Sequence, residues 1–148
     1  MIDRLQEKDI DQVAQIEAEI FSVPWSIKSF KDALASEQNI YLKAETDGQI
    51  VGYCGIWTSF ESADLCNIAV KKEFRKAGLG QKLLGAGIQE AAAKGVERIL
   101  LEVRQSNKAA IRLYEKNGFQ TIGLRKSYYT KPVEDAILME RFIRKMAE

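Results

Sequence analysis

A chain of 148 residues with 46% apolar content is long enough to bury a hydrophobic core, and its composition argues against global disorder. Its 22 basic and 21 acidic residues leave a net charge of +1, which is too balanced for a protein that wraps bulk nucleic acid. No signal peptide is recognisable, and no apolar run approaches the ~20 residues of a membrane helix. We expect one domain over residues 1–148, cytoplasmic, monomeric or weakly dimeric, without a membrane or direct nucleic-acid partner.

The chain has two cysteines and no histidine. Cys54 and Cys66 lie in strand-like runs and are not spaced like zinc ligands. We therefore predict two reduced, buried cysteines and no metal, with a disulfide as the alternative. The lack of histidine also removes the commonest general base.

The first half of the chain predicts four strands and two helices. A helix is expected over residues 9–21, where apolar residues recur at helical spacing. Ser26 predicts the N-cap of a second helix that ends near Leu34. Asp47-Gly48 is typical of a tight hairpin turn. The predicted strands cover about residues 1–5, 39–45, 49–57 and 64–70.

A basic loop with two glycines, Arg75-Lys76-Ala77-Gly78-Leu79-Gly80, follows the strand that ends at Val70. A helical pattern begins after it and runs to about Lys94. The first N–H groups of a helix have no intrahelical acceptor, and the helix dipole places partial positive charge there. Gly78 and Gly80 let a phosphate approach the backbone without a Cβ in the way. The loop therefore predicts an anion cradle.

The second half predicts two helices and three strands. The residues that we place on the buried side of the first helix are Leu79, Leu83, Gly87, Ile88, Ala91 and Ala92. Gly95 is a stop signal for this helix. The remaining elements are a strand over 98–103, a helix from Ser106 or Asn107 to Lys116 closed by Asn117-Gly118, and strands over 119–125 and 134–141. The order β-α-α-β-β-β-α-β-α-β-β indicates a mixed α/β fold, a mixed sheet with helices on its faces.

Glu102 interrupts an otherwise apolar strand. By strand alternation it shares a face with Leu100 and Arg104. Acidic residues are rarely buried without a partner, so the simpler interpretation of this residue alone is an exposed glutamate paired with Arg104 or Arg98.

The helix after this strand carries Asn107 and Tyr114 on one face, seven residues apart, together with Ala110 and Ile111. A strand carboxylate, a helix-start amide and a phenol would then line one cleft. Taken singly, Asn107 as a cap and Tyr114 as a core residue are the simpler interpretations.

Four segments read together resemble the GNAT acetyltransferase superfamily over nearly the whole chain: residues 67–70, 75–80, 101–107 and 113–119. The loop fits the signature Q/R-x-x-G-x-G/A, with Arg75 first. The resemblance implies the GNAT fold, a mixed sheet of about six to seven strands with helices on both faces and a splay between the fourth and fifth strands. It also implies acetyl-CoA as co-substrate.

The same resemblance implies the roles of individual residues. Glu102 is the general base, Tyr114 is the general acid, and the amine attacks the thioester directly. A bulge in the strand before the loop would open a slot for the cofactor, whose pyrophosphate lies on backbone amides from Lys76 to Gln81. Arg75 and Lys76 add charge attraction or form an ordinary solvated surface. The implied cofactor-binding residues are Ile68, Ala69, Val70, Arg75, Lys76, Ala77, Gly78, Leu79, Gly80, Gln81 and Asn107.

Residues 21–26, 102–107, 128–129 and 134–136 resemble the branch of the superfamily that acetylates the N-terminal alanine of a small-subunit ribosomal protein. This implies the N-terminus of a ribosomal protein as acceptor. It also places Trp25, Tyr128 and Tyr129 along the peptide channel; the alternative is that these aromatic residues cover the edge of the core. Glu134 and Asp135 receive no assignment. Two other functions stay open: acetylation of a lysine, polyamine or amino-sugar, and acyl-CoA binding without turnover.

Overall fold

A computed structural model describes residues 1–143, and all of its strands belong to one seven-stranded sheet. The strands are β1 (Ile2–Arg4), β2 (Asn39–Thr46), β3 (Gln49–Ser59), β4 (Ser62–Val70), β5 (Arg98–Arg104), β6 (Gln120–Thr130) and β7 (Val133–Phe142). The α-helices are α1 (Ile10–Ile20), α2 (Ile27–Leu34), α3 (Leu79–Ala93) and α4 (Lys108–Lys116), and short 3-10 helices cover Glu7–Asp9 and Lys72–Phe74. The predicted order of elements is confirmed.

The sheet opens between its fourth and fifth strands. Its spatial order is β1-β2-β3-β4-β5-β7-β6, and the parallel pair is β4 with β5. These two strands pair at their starts, where the last partners are Asp64 and Leu100. β4 then carries a bulge at Cys66 and continues to Val70, while β5 continues to Arg104 without pairing with it. The two strands therefore diverge into a V, as the resemblance predicted.

Two separate apolar clusters cover the two faces of the sheet. Strand alternation sends Leu42 of β2 into the cluster under α3 and α4, and its neighbour Tyr41 into the cluster under α1 and α2. The buried side of α3 differs from the prediction at two residues, because Leu84 is fully buried and Ala92 is exposed. The buried arc is centred on Leu83, Leu84, Gly87, Ile88 and Ala91, which leaves Ala92 beyond its edge.

Local turn and cap signals correctly located the ends of several elements. Asp47 and Gly48 have φ angles of 53° and 77°, the left-handed conformation that a tight hairpin turn needs. Ser26 Oγ accepts a hydrogen bond from the Ser29 N–H at 3.1 Å and so caps α2. Among the residues that the structure describes, no helix combines the length and the apolar character needed to cross a membrane.

The two cysteines are free thiols with different environments. Cys54 is fully buried, as predicted, but Cys66 is exposed, so the prediction is wrong for Cys66. Alternation explains the exposure, because Leu65 beside it points into the core under α3.

A buried ion pair joins the start of α1 to β2. Lys43 Nζ lies 2.9 Å from Asp9 Oδ2 and 3.3 Å from Glu45 Oε1. Burial opposes the charge of Asp9, but hydrogen bonds from Lys43 and from the Gln6 N–H lower its pKa. The hydrogen bond with Asp9 raises the pKa of Lys43. The helix pattern gave no sign of this pair, because its partners are 34 residues apart.

Candidate active site

The loop between β4 and α3 presents a run of unsatisfied backbone N–H groups. Those from Lys76 to Gln81 have no acceptor among residues 1–143, whereas the Lys82 N–H bonds to the Gly78 carbonyl at 3.0 Å. Lys76 and Gly78 have φ angles of 68° and 80°. Alternation of left-handed and ordinary residues turns successive N–H groups toward one side, which makes a concave site for an anion at the positive end of α3.

The side chains of this loop act differently from one another. Arg75 Nε donates to the Val70 carbonyl at 2.9 Å and so ties the loop to the end of β4. At Gly78, an added Cβ would meet no heavy atom within 4 Å. At Gly80, it would lie 3.4 Å from a methyl group of Leu113, an ordinary van der Waals distance. The space around the loop backbone is therefore more open at Gly78 than at Gly80.

The V beside β4 exposes one edge of that strand. Ile68, Ala69 and Val70 pair with β3 on one side, and on the other side β5 has already diverged. Ala69 is buried, and its two neighbours are half-buried. An extended ligand with amide groups could therefore hydrogen-bond to this edge as a further strand does.

Glu102 is exposed on the face that it shares with Leu100 and Arg104, as alternation predicted. The predicted ion pair is wrong, because Arg98 and Arg104 bind glutamates of β7 at 2.6 Å and 3.2 Å. The carboxylate faces the hydroxyl of Tyr128 instead, and hydrogen bonding between them raises the pKa of Tyr128. No salt bridge joins Glu102 to a cation among residues 1–143.

Several groups around Glu102 respond to that charge. Partial burial and the charge of Glu102 raise the pKa of Tyr129 to about 12 and also raise the pKa of Asp64. Although Cys66 as a whole is exposed, partial burial of its thiol, with the charges of Asp64 and Glu102, raises its pKa to about 12. The charge of Glu102 is thus felt by Asp64, Cys66 and both hairpin tyrosines, whose rings also contact Arg104 and Arg125.

Tyr114 lies in the core under α3 and α4, where its ring centroid is 5.8 Å from that of Phe119. Burial raises the pKa of its phenol well above the ordinary value. The hydroxyl of Tyr114 has no hydrogen-bond partner in residues 1–143. Every fully buried side-chain oxygen in that range does have a partner, so the Tyr114 hydroxyl is not fully buried. The hydroxyl therefore keeps contact with solvent-accessible space, although the ring is a core residue.

Asn107 is the N-cap of α4. Its Oδ1 accepts a hydrogen bond from the Ala110 N–H at 3.2 Å, so the simpler interpretation of Asn107 as a cap is correct.

Two tryptophans border a cleft next to this region. Trp25 packs against Phe30 and Trp57, with ring centroids 5.3 Å and 5.8 Å apart. Both tryptophans line a cleft of about 590 Å³ that also includes Asp64. Trp57 was not predicted to line a cleft. The sequence feature that could have indicated it is a large aromatic residue at the end of a predicted strand. Trp25 therefore both covers the edge of the core and faces a cleft.

Tyr128 and Tyr129 at the end of β6 lie near Glu102, whose charge contributes to the raised pKa of both. The rings of Tyr128 and Tyr129 contact each other edge-on, 5.1 Å between centroids. The two unassigned acidic residues hold this hairpin: Glu134 accepts from the Ser106 N–H at 2.5 Å, and Asp135 Oδ1 accepts from a hairpin N–H at 2.8 Å. The carboxylate of Glu102 therefore lies near the two hairpin tyrosines, on a strand that borders the V.

Comparison with known proteins agrees with this architecture. The sequence model of the Acetyltransferase (GNAT) family matches residues 10–119. A Haemophilus influenzae protein named ribosomal protein bS18-alanine N-acetyltransferase is 36% identical over 146 residues, 97% of this chain and 99% of its own. A Bacillus subtilis protein that bears the same name provisionally is 44% identical over 133 residues, 89% of this chain and 88% of its own. The crystal structure of the Escherichia coli ribosomal-protein-S18-alanine N-acetyltransferase matches with a TM-score of 0.91 and 35% identity, covering 100% of this chain and 96% of that one.

The chain belongs to the GNAT acetyltransferase family. It has the GNAT fold, and it is an acetyl-CoA-dependent N-acetyltransferase. The predicted fold class and enzyme class are confirmed.

Proposed function

We propose that this enzyme transfers the acetyl group of acetyl-CoA to the α-amino group of the N-terminal alanine of ribosomal protein bS18. The observation that carries the proposal is the near-full-length similarity to bacterial proteins named for this reaction. The exposed carboxylate of Glu102, which has no salt-bridge partner among residues 1–143, supports it, because an α-ammonium group is a cation. The acceptor partner is thus a protein N-terminus.

Acetyl-CoA would lie along the V and the loop. The free N–H groups from Lys76 to Gln81 suit its pyrophosphate, and Lys76 adds a mobile positive charge. The exposed edge of β4 at 68–70 would bind the pantetheine arm and polarise the thioester carbonyl through its amides. Asn107 keeps its side-chain NH₂ group for the cofactor, because the cap uses only its oxygen.

Glu102 and Tyr114 would divide the proton transfers. An α-ammonium group has a pKa of ~7.7–8.0 and an ordinary glutamate one of ~4.3, so a bridging water would help Glu102 to remove the proton. The amine nitrogen then bonds to the thioester carbon, the C–S bond breaks, and the nitrogen loses its second proton to solvent, from which Tyr114 is reprotonated. Burial keeps Tyr114 protonated at neutral pH, so its hydroxyl can protonate the departing thiolate.

The catalytic roles are tested with Glu102→Gln and Tyr114→Phe, each of which keeps the shape of the side chain. With a peptide that begins with alanine, we expect kcat to fall by about 10²–10⁴-fold, the usual contribution of a general acid or base. Binding of acetyl-CoA, measured by calorimetry, should not change. Glu115→Gln is the matched control, because Glu115 is exposed on α4 next to Tyr114. Unchanged kcat in both variants would refute the assignment.

The acceptor is tested in cells with and without the gene. Mass spectrometry of the ribosomal proteins should find the bS18 N-terminus acetylated with the gene, free without it, and free when Glu102→Gln is supplied. An N-terminus that is the same in all strains would exclude bS18. A parallel assay with a lysine side chain, a polyamine and an amino-sugar would then identify the class of amine.

A further inference from the structure

Arg104 ends β5 two residues after Glu102 and on the same face. It contacts two segments that the sequence separates widely: the α1–α2 loop (residues 21–26) and the hairpin end (residues 127–134). Its guanidinium donates hydrogen bonds to the Pro132 carbonyl (2.9 Å), Glu134 Oε1 (3.2 Å), the Lys131 carbonyl (3.4 Å) and Ser22 Oγ (3.4 Å). One side chain therefore joins these two segments, the walls of the proposed acceptor cleft.

The same guanidinium reaches Glu102 indirectly through the hairpin tyrosines. Arg104 Cζ lies 4.4 Å from the centroid of the Tyr129 ring, a cation–π contact. Tyr129 contacts Tyr128, and the hydroxyl of Tyr128 faces the carboxylate of Glu102. The position of Arg104 thus fixes the ring of Tyr129 at the hairpin end.

The anionic partner of Arg104 is itself held in place. Glu134 uses its other oxygen to accept the Ser106 N–H, so the carboxylate is oriented before the ion pair forms. The side chains of Arg104 and Glu134 are 25% and 17% exposed, which limits screening by water. A planar guanidinium can donate to several acceptors and stack on a ring at once, whereas an ammonium group is a point charge.

We propose that Arg104 is a positioning residue that ties the α1–α2 loop to the hairpin end and so sets the width of the acceptor cleft beside Glu102. Its effect on acceptors rests on the proposed function, but the tie between the two segments does not. Arg104 thereby acts on an acceptor long enough to reach both walls.

Arg98 provides the matched control. It lies on the same strand and the same face, its guanidinium binds Glu140 of β7 at 2.6 Å, and it lies 5.8 Å from the centroid of Phe142. It therefore has an ion pair and a cation–π contact of its own at the opposite end of β5. Arg98→Ala removes contacts of the same kind without touching the α1–α2 loop.

The experiment compares Arg104→Ala, Arg104→Lys and Arg98→Ala with the unaltered enzyme. In Arg104→Ala, amide hydrogen exchange should become faster in residues 21–26 and in residues 127–134 together. In Arg104→Lys, the exchange rate should not return to that of the unaltered enzyme in both segments. KM for an alanine-starting hexapeptide should rise about tenfold, which corresponds to ~1.4 kcal/mol. For alaninamide, which is too short to reach the walls, kcat/KM should be unchanged, as should the Kd of acetyl-CoA. Arg98→Ala should show none of these effects.

Three results would overturn the proposal: faster exchange in one segment alone, the same exchange in Arg98→Ala, or equal losses for hexapeptide and alaninamide. If the unaltered enzyme acetylates no peptide, the proposed function fails. The exchange data then still decide whether Arg104 joins the two segments.

Discussion

The same substitution, glycine to alanine, at two positions seven residues apart tests the conformation of the anion cradle. Gly78 has a φ of 80° and ends the loop, whereas Gly85 lies inside α3. At both positions an added Cβ would meet no heavy atom within 4 Å, so packing contributes nothing at either. Gly78→Ala and Gly85→Ala therefore differ in backbone conformation alone.

The expected difference in stability follows from that conformation. Alanine in the left-handed region costs about 1–2 kcal/mol, so Gly78→Ala should lower the free energy of unfolding by this amount. Alanine inside a helix is more stable than glycine by about 0.5–1 kcal/mol, so Gly85→Ala should raise it. The two Tm values should move in opposite directions by about 2–4 °C per kcal/mol for a chain of this size.

The same pair separates stability from ligand binding. Because alanine disfavours the left-handed conformation of Gly78 in the loop, calorimetry should show coenzyme A binding weakened about tenfold in Gly78→Ala, or by ~1.4 kcal/mol. Gly85→Ala should bind coenzyme A like the unaltered enzyme. Equal Tm shifts in the two variants would refute the conformational argument. Unchanged affinity in Gly78→Ala would remove the loop from the cofactor site.

Two further predictions concern charged and thiol groups outside this loop. Asp9→Ala should cost about 3–5 kcal/mol in urea denaturation at pH 7, because it leaves the buried Lys43 without its main partner. Cys66 should react with iodoacetamide at pH 8 about 10³-fold more slowly than an ordinary thiol of pKa ~8.5, because its pKa of about 12 leaves little thiolate. Its rate should rise about tenfold per pH unit up to about pH 11.

Each of these predictions has its control. The pKa of Asp9 is lowered in the folded protein. Its contribution to the free energy of unfolding is therefore complete above the unfolded pKa of ~3.9 and is lost as the pH falls through the lower pKa of the folded state. The difference in the free energy of unfolding between Asp9→Ala and the unaltered protein should therefore become smaller in acid. A difference that does not change with pH would contradict the contribution of the ion pair. Cys66→Ser identifies the reacting thiol, and modification at the rate of a free thiol would contradict its raised pKa.

The sequence predicted best what depends on neighbouring residues. The hairpin at Asp47-Gly48, the cap at Ser26 and the helix after Gly78 follow from short-range rules, and each is found where it was expected. Glu102 likewise lies on the predicted face of β5, because alternation follows from backbone geometry.

The errors arise where distant segments meet. Cys66 is an exception, because it was predicted as buried from its strand-like run although alternation with Leu65 places it on the exposed face. The predicted partners of Glu102 were nearby arginines, but Arg104 binds groups 27 to 82 residues away. Trp57 was missed because its neighbour Trp25 comes from another element. Contacts of this kind have no short-range signal in a single sequence.

Several residues for which the sequence offered a structural and a functional interpretation combine features of both. The ring of Tyr114 packs in the core while its hydroxyl keeps accessible space, and Asn107 caps α4 with its oxygen while its nitrogen stays free. Trp25 covers the core edge and lines a cleft. Substitutions that remove one polar atom, such as Tyr114→Phe, therefore test function while keeping the packing. Truncation to alanine would change both, because a core aromatic contributes about 3–5 kcal/mol to stability.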